Sequence, residues 1–188
     1  MTFKQLRQAI NTPYFTTAQL TKLFSKESVE SRNMQLKRFV DRHELTRLKR
    51  GVFIFAEQEL DEFSLANILN PQSYVSLESM LNAYGLMPDI PAQVTSVTPL
   101  TSKTFTTPKG TFLYSKIDPR LYFGFQIENT QNILPYRVAE PEKAVLDYIY
   151  VRKVKDLKEN RLDLSSLNKK RLTQLAVPFP EWVKEVIA

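Results

Sequence analysis

Residues 16–55 read TTAQLTKLFSKESVESRNMQLKRFVDRHELTRLKRGVFIF, and this stretch decides the predicted fold of the N-terminal part of the chain. A short polar turn at 25–28 separates two segments with helical periodicity, of which the second runs over 29–42. Two strand-like runs at 45–48 and 52–55 follow, and the glycine-containing loop between them suits a tight hairpin. A shorter helix is predicted before the whole stretch. Two helices joined by a turn and followed by a hairpin predict a winged helix-turn-helix.

The second helix of this motif carries the residues expected to contact a ligand. One side of a helical wheel is assigned to the core and carries Val29, Asn33, Leu36 and Val40, with Phe39 at its margin. The opposite side is assigned to solvent and carries Ser28, Ser31, Gln35, Arg38 and Arg42, with Arg32 at the boundary. A recognition helix lies in the major groove of DNA and contacts base edges through residues near its N-terminal end. We therefore predict that bases are read by Ser28, Ser31, Arg32 and Gln35.

Basic residues are concentrated in the same part of the chain. Residues 1–56 hold eleven Lys and Arg against four Asp and Glu, a net charge of +7, whereas residues 57–188 hold fifteen against sixteen. A basic module of this size favours a polyanionic partner, and double-stranded DNA is predicted. The cations further along this helix and on the hairpin are predicted to bind phosphates, namely Lys37, Arg38, Arg42, Arg47, Lys49 and Arg50. For Arg50, contact with the adjacent minor groove is the alternative. A basic solvated surface without a ligand is the alternative for the whole pattern.

The remainder of the chain is predicted to form a larger α+β domain with a mainly antiparallel sheet flanked by helices. The acidic stretch at 57–64 reads as a linker or short helix, so the predicted domains are 1–56 and 57–188. A helix is predicted over 70–85, because Asn70 and Pro71 suit a cap and a first helical residue. Several strands follow, then a helix that begins at Pro141, and then a helical tail interrupted by prolines.

Residue types exclude most catalytic classes. The chain has no cysteine and one histidine, His43, so a zinc cluster or a thiol nucleophile is excluded. Its four glycines form no phosphate-binding loop, and no cofactor or metal is expected. Glu140, Glu142 and Asp147 are the densest group of carboxylates. They suit a nuclease-like metal site as one hypothesis, and the first turn of a helix that begins with proline as the other, which we favour.

Apolar patterning favours a soluble protein. No apolar run approaches the ~20 residues that span a bilayer, and the first residues lack the pattern of a signal peptide. We expect a cytoplasmic protein that is a monomer in solution and has no contact with membranes.

Three phrases of the sequence resemble a known family. They are FTTAQLTKLF at 15–24 continued by LKRFVDRHELTRLKRGVFIF at 36–55, NPQSYVSLESMLNAYGLMP at 70–88 and YRVAEPEKAVLDYIY at 136–150. In this order they resemble the AbiEi-type antitoxins, which are predicted transcriptional regulators of abortive phage infection and of type IV toxin–antitoxin systems. The resemblance covers roughly residues 10–150.

The resemblance implies a protein of two parts. The winged helix would bind inverted repeats in its own promoter and repress it. The second domain would counteract a nucleotidyltransferase-like toxin, in general without a stable complex, and whether the two proteins touch is left open. Two other hypotheses are a nucleic-acid-processing enzyme that uses the carboxylates above and an antitoxin that binds only protein. The charge of the first part argues against the last.

Overall fold

This computed structural model describes most of the chain, namely residues 1–129, 134–157 and 159–188. The class is α+β, as predicted. The chain divides into two compact units, which are residues 1–60 with 107–109 and residues 61–106 with 110–188. Across the described ranges, every helix is too short or too polar to cross a bilayer.

The first unit contains three helices and a three-stranded sheet. Its elements are α1 (Phe3–Ala9), β1 (Tyr14–Thr16), α2 (Thr17–Leu23), α3 (Val29–Asp41), β2 (Leu45–Lys49) and β3 (Val52–Phe55). The sheet is antiparallel with β3 in the centre, in the order β1-β3-β2. The three helices and the hairpin agree with the sequence prediction, whereas β1 was not predicted.

Residues around β1 set the start of α2 and the core of this unit. Thr16 caps α2, because its hydroxyl accepts a hydrogen bond from the Gln19 amide while the Gln19 side chain accepts one from the Thr16 amide. Phe15 stacks on Phe53 of β3, with ring centroids 5.7 Å apart. The rest of the core is supplied by all three helices and both hairpin strands, chiefly Leu6, Leu20, Leu36, Phe39, Leu45 and Phe55.

The second unit is built on a six-stranded sheet. Its strands are β4 (Tyr74–Val75), β5 (Val94–Thr98), β6 (Lys103–Thr107), β7 (Gly110–Lys116), β8 (Phe125–Glu128) and β9 (Tyr136–Ala139). Its helices are α4 (Glu62–Leu69), α5 (Glu78–Ala83), α6 (Pro141–Arg152), α7 (Lys169–Ala176) and α8 (Glu181–Ile187), with one 3-10 turn at Pro119–Leu121.

The strand order is β6-β7-β5-β4-β9-β8, and the sheet is mixed. β4 pairs with β5, and β8 with β9, in antiparallel fashion, whereas β4 pairs with β9, and β5 with β7, in parallel. In both parallel pairs other elements lie between the two strands in the chain, β6 between β5 and β7 and several helices and strands between β4 and β9.

The helix predicted over 70–85 is wrong. The helix α4 precedes this stretch, and Asp61 caps its start by accepting hydrogen bonds from the amides of Phe63 and Ser64. Asn70 therefore ends a helix instead of beginning one. The following residues enter the sheet as β4, and only then does α5 begin, after Leu77, whose φ is positive at 59°. Pairing with two distant strands overrides the local helical pattern.

A buried ion pair joins α6 to β4. Lys143 and Asp147 lie one helical turn apart, are fully buried, and form a salt bridge. Asp147 also accepts hydrogen bonds from the hydroxyls of Tyr74 and Ser76, both at 2.9 Å, and the Lys143 ammonium donates to Tyr74 at 2.8 Å. Burial lowers the pKa of Lys143 and raises the pKa of Asp147, while the attraction between them opposes both shifts.

Removal of one partner of this pair should destabilise the protein strongly. Lys143→Met keeps most of the side-chain volume but leaves Asp147 unpaired in the core. We expect the free energy of unfolding to fall by about 3–5 kcal/mol, measured by urea denaturation. The double variant Lys143→Met/Asp147→Asn should lose less, since it buries no charge and the amide oxygen can still accept from Tyr74 and Ser76. A double variant as unstable as Lys143→Met would contradict this role of the pair.

Candidate nucleic-acid interface

The first unit contains a groove of about 570 Å³ between α2, α3 and the β2–β3 hairpin. Four cationic residues are among those that line it, namely Arg32, Lys37, Arg47 and Arg50. None of its described lining residues is acidic. Cations gathered in a concave surface without carboxylates create a positive potential, and such a surface attracts anions.

The hairpin is held against the start of α2 by a close backbone contact. Gly51 lies between β2 and β3 with φ of +77°, and its carbonyl accepts a hydrogen bond of 2.9 Å from the Thr17 amide. A β-carbon at position 51 would lie 2.9 Å from the Thr17 hydroxyl, which is closer than packed atoms come. Glycine is therefore required here both for its backbone conformation and for its size. This contact fixes the distance between the hairpin and α2, and with it one wall of the groove.

Arg32 holds the turn between α2 and α3. It is 6% exposed, and its guanidinium donates to the carbonyl of Phe24 at 2.9 Å and to that of Glu27 at 2.6 Å. A longer contact of 3.3 Å reaches the hydroxyl of Thr21. Carbonyls at the end of a helix lack partners within the helix, and a buried guanidinium can satisfy several of them. The prediction that Arg32 reads a base is therefore corrected, because the side chain is buried and one nitrogen of its guanidinium donates to two backbone carbonyls of the turn.

The inward face of α3 differs from the predicted face. Arg32, Leu36 and Phe39 are buried, whereas Val29, which was assigned to the core, is 56% exposed. Phe39 lies in the core because its ring meets Phe3 of α1 at 5.4 Å. The helix is thus rotated so that Asn33, also assigned to the core, is exposed.

This rotation changes two of the predicted base readers. Ser31 and Gln35 are half-buried, and neither lines the groove. The side-chain oxygen of Gln35 is buried without a hydrogen-bond partner in the described structure. Both residues flank the buried face that Arg32 and Phe39 occupy, so their assignment to the outer face is corrected.

The other predicted contact residues divide into two groups. Lys37, Arg47 and Arg50 are exposed and line the groove together. Outside the groove lie Ser28, Arg38, Arg42 and Lys49, of which Ser28 caps α3 by accepting a hydrogen bond from the Ser31 amide. Polar and apolar residues that were not predicted as contact residues also line the groove, namely Thr17, Thr21, Val29 and Asn33. Only the orientation of α3 reveals the last two.

The carboxylates of the alternative nuclease hypothesis are held by separate partners. Glu140 pairs with Arg171 at 2.7 Å, and Glu142 accepts a hydrogen bond of 2.9 Å from the Asn168 amide. Asp147 belongs to the buried pair with Lys143. Within the described ranges, no three His, Cys, Asp or Glu side chains are arranged to hold a metal ion. The geometry therefore gives that hypothesis no support.

No protein-family model matches the chain, and no curated protein matches it significantly. The groove, its charge and the resemblance of the sequence are therefore the basis for assigning a function.

Substitution of Arg32 should unfold the turn that shapes the groove. Arg32→Met keeps the apolar stem but removes the donors to Phe24 and Glu27, so we expect a loss of about 2–4 kcal/mol in the free energy of unfolding. Equilibrium denaturation followed by circular dichroism measures this loss. Arg38→Met is the matched control, because Arg38 is an exposed cation on the same helix, and it should change stability by less than about 0.5 kcal/mol. Equal effects of the two substitutions would contradict the structural role of Arg32.

Proposed function

We propose that the chain is a DNA-binding transcriptional regulator whose first unit is a winged helix-turn-helix. In this proposal α3 enters the major groove of duplex DNA and the β2–β3 hairpin is the wing beside it. The order of the elements and the three-stranded sheet support this assignment. An α-helix with its side chains is about 10–12 Å in diameter, which suits a major groove ~12 Å wide.

The convergence of Lys37, Arg47 and Arg50 on one groove carries the proposal. These side chains come from α3, β2 and the hairpin loop, yet they line a common concavity that has no described acidic residue. Duplex DNA presents phosphates on both sides of the major groove, so cations on a helix and on a neighbouring hairpin can bind the two backbones at once. The net charge of +7 on residues 1–56 adds long-range attraction.

The biological role in this proposal comes from the resemblance to the AbiEi-type antitoxins. The chain would be a cytoplasmic repressor that binds inverted repeats in its own promoter and acts as the antitoxin of a nucleotidyltransferase-like toxin. Repression is assigned to the first unit and antitoxicity to the second. We propose no enzymatic activity for either unit.

Binding of duplex DNA should depend steeply on salt, because Lys and Arg that neutralise phosphates release counterions. We expect the log–log slope of affinity against salt to become shallower by about 0.9 for each phosphate contact removed, as in Lys37→Ala or Arg50→Ala. Fluorescence anisotropy with the full chain and its promoter duplex measures this slope. Lys4→Ala is the matched control, because Lys4 is exposed on α1 and does not line the groove. Salt-independent binding, or an equal loss in Lys4→Ala, would contradict the assignment.

Repression and antitoxicity should separate genetically. A reporter under the chain's own promoter should be repressed by the wild type and released by the double variant Lys37→Ala/Arg50→Ala. The same variant should still protect cells from a nucleotidyltransferase-like toxin encoded beside it, because the second unit is unchanged. Loss of both properties in a variant that is folded and expressed at the normal level would refute this division.

A further inference from the structure

We propose that Asn33 and Val29 determine sequence preference, with Asn33 bound to an adenine and Val29 against the methyl group of a thymine. This inference rests on the proposed binding of duplex DNA. Asn33 and Val29 thus take the base-reading role that was predicted for Gln35 and Arg32. The preferred DNA sites would contain A·T pairs.

The placement of the two side chains is the first observation. Val29 and Asn33 lie four residues apart on α3, both are exposed, and both line the groove. Residues four apart on a helix are neighbours, about 5–6 Å apart at their β-carbons. Lys37 continues the same row one turn further along. Two uncharged side chains and then a cation that can bind phosphate therefore form one row along the helix.

The chemistry of Asn33 matches adenine. Its side-chain amide has one acceptor and donors on the same planar group, and adenine presents N7 as an acceptor beside the N6 amino group in the major groove. An asparagine can therefore form two hydrogen bonds with adenine at once. Within the described residues the Asn33 side chain makes no hydrogen bond, so both groups are available to a ligand. Gln35 has similar chemistry, but its oxygen is buried.

Val29 supplies the apolar part of the same surface. It is the first residue of α3 and 56% exposed, at the end of the helix that enters the groove in the proposed mode. The methyl group of thymine is the apolar feature of the major groove, and contact with it removes exposed apolar surface from both partners. The distance between Val29 and Asn33 spans one or two base-pair steps of about 3.4 Å, so the two contacts fall on neighbouring pairs.

Selection from a pool of randomised duplexes with the full chain gives the preferred site, and modified bases then test each contact. Replacement of the contacted adenine by 7-deazaadenine removes the N7 acceptor, and replacement of thymine by uracil removes the methyl group. We expect 7-deazaadenine to weaken wild-type binding and to have little further effect on Asn33→Ala. We expect uracil to weaken wild-type binding and to have little further effect on Val29→Ala. Gln35→Ala is the control, and it should remain sensitive to both modifications.

Asn33→Ala should lose about 5- to 150-fold in affinity for the preferred duplex and little for a scrambled one, with an unchanged salt slope. Selection of a site without conserved A·T pairs, or modified bases that weaken Asn33→Ala as much as the wild type, would overturn this inference while DNA binding stands. Absence of salt-dependent binding to any duplex would instead overturn the proposed function, and the inference with it.

Discussion

The buried guanidinium of Arg32 is the contact on which the shape of the first unit depends. A charged group away from water costs several kcal/mol unless hydrogen bonds compensate it. The turn supplies this compensation, because the carbonyls of Phe24 and Glu27 both point at the guanidinium. The same contact fixes how α3 leaves α2. It therefore sets which face of α3 is buried and which face meets solvent.

The groove follows from this contact together with the one between Gly51 and Thr17. One joins α3 to the end of α2, and the other joins the hairpin to the start of α2. A short helix of seven residues thus serves as the common reference for both walls. The exposed cations that line the groove are Lys37, Arg47 and Arg50, and the backbone positions of α3 and the hairpin bring them together. Their side chains are in solvent, where the repulsion between like charges is weak.

In the first unit, the order of helices and strands could be predicted from the sequence far better than the face that α3 turns toward the core. The cap at Thr16, the polar turn and the glycine of the hairpin are local signals, and they predicted α2, α3, β2 and β3. The face of α3 could not be found in the same way, because apolar residues occur on several sides of this helix and arginine is by default an exposed residue. Asn33 becomes a candidate only once Arg32 is known to be buried. In the second unit, β4 has two residues and exists through its pairing with distant strands, so no local pattern reveals it.

The long-range nature of the buried network in the second unit has a consequence for synthesis on the ribosome. The hydroxyl of Tyr74 finds its acceptor on Asp147, which lies 73 positions later in the chain. Until that later segment has emerged from the exit tunnel, β4 lacks both this acceptor and its partner strand β9. The core of the first unit, in contrast, uses only residues up to Phe55. Since domains fold as units and earlier ones first, a nascent chain will carry a finished groove while the second unit is still incomplete.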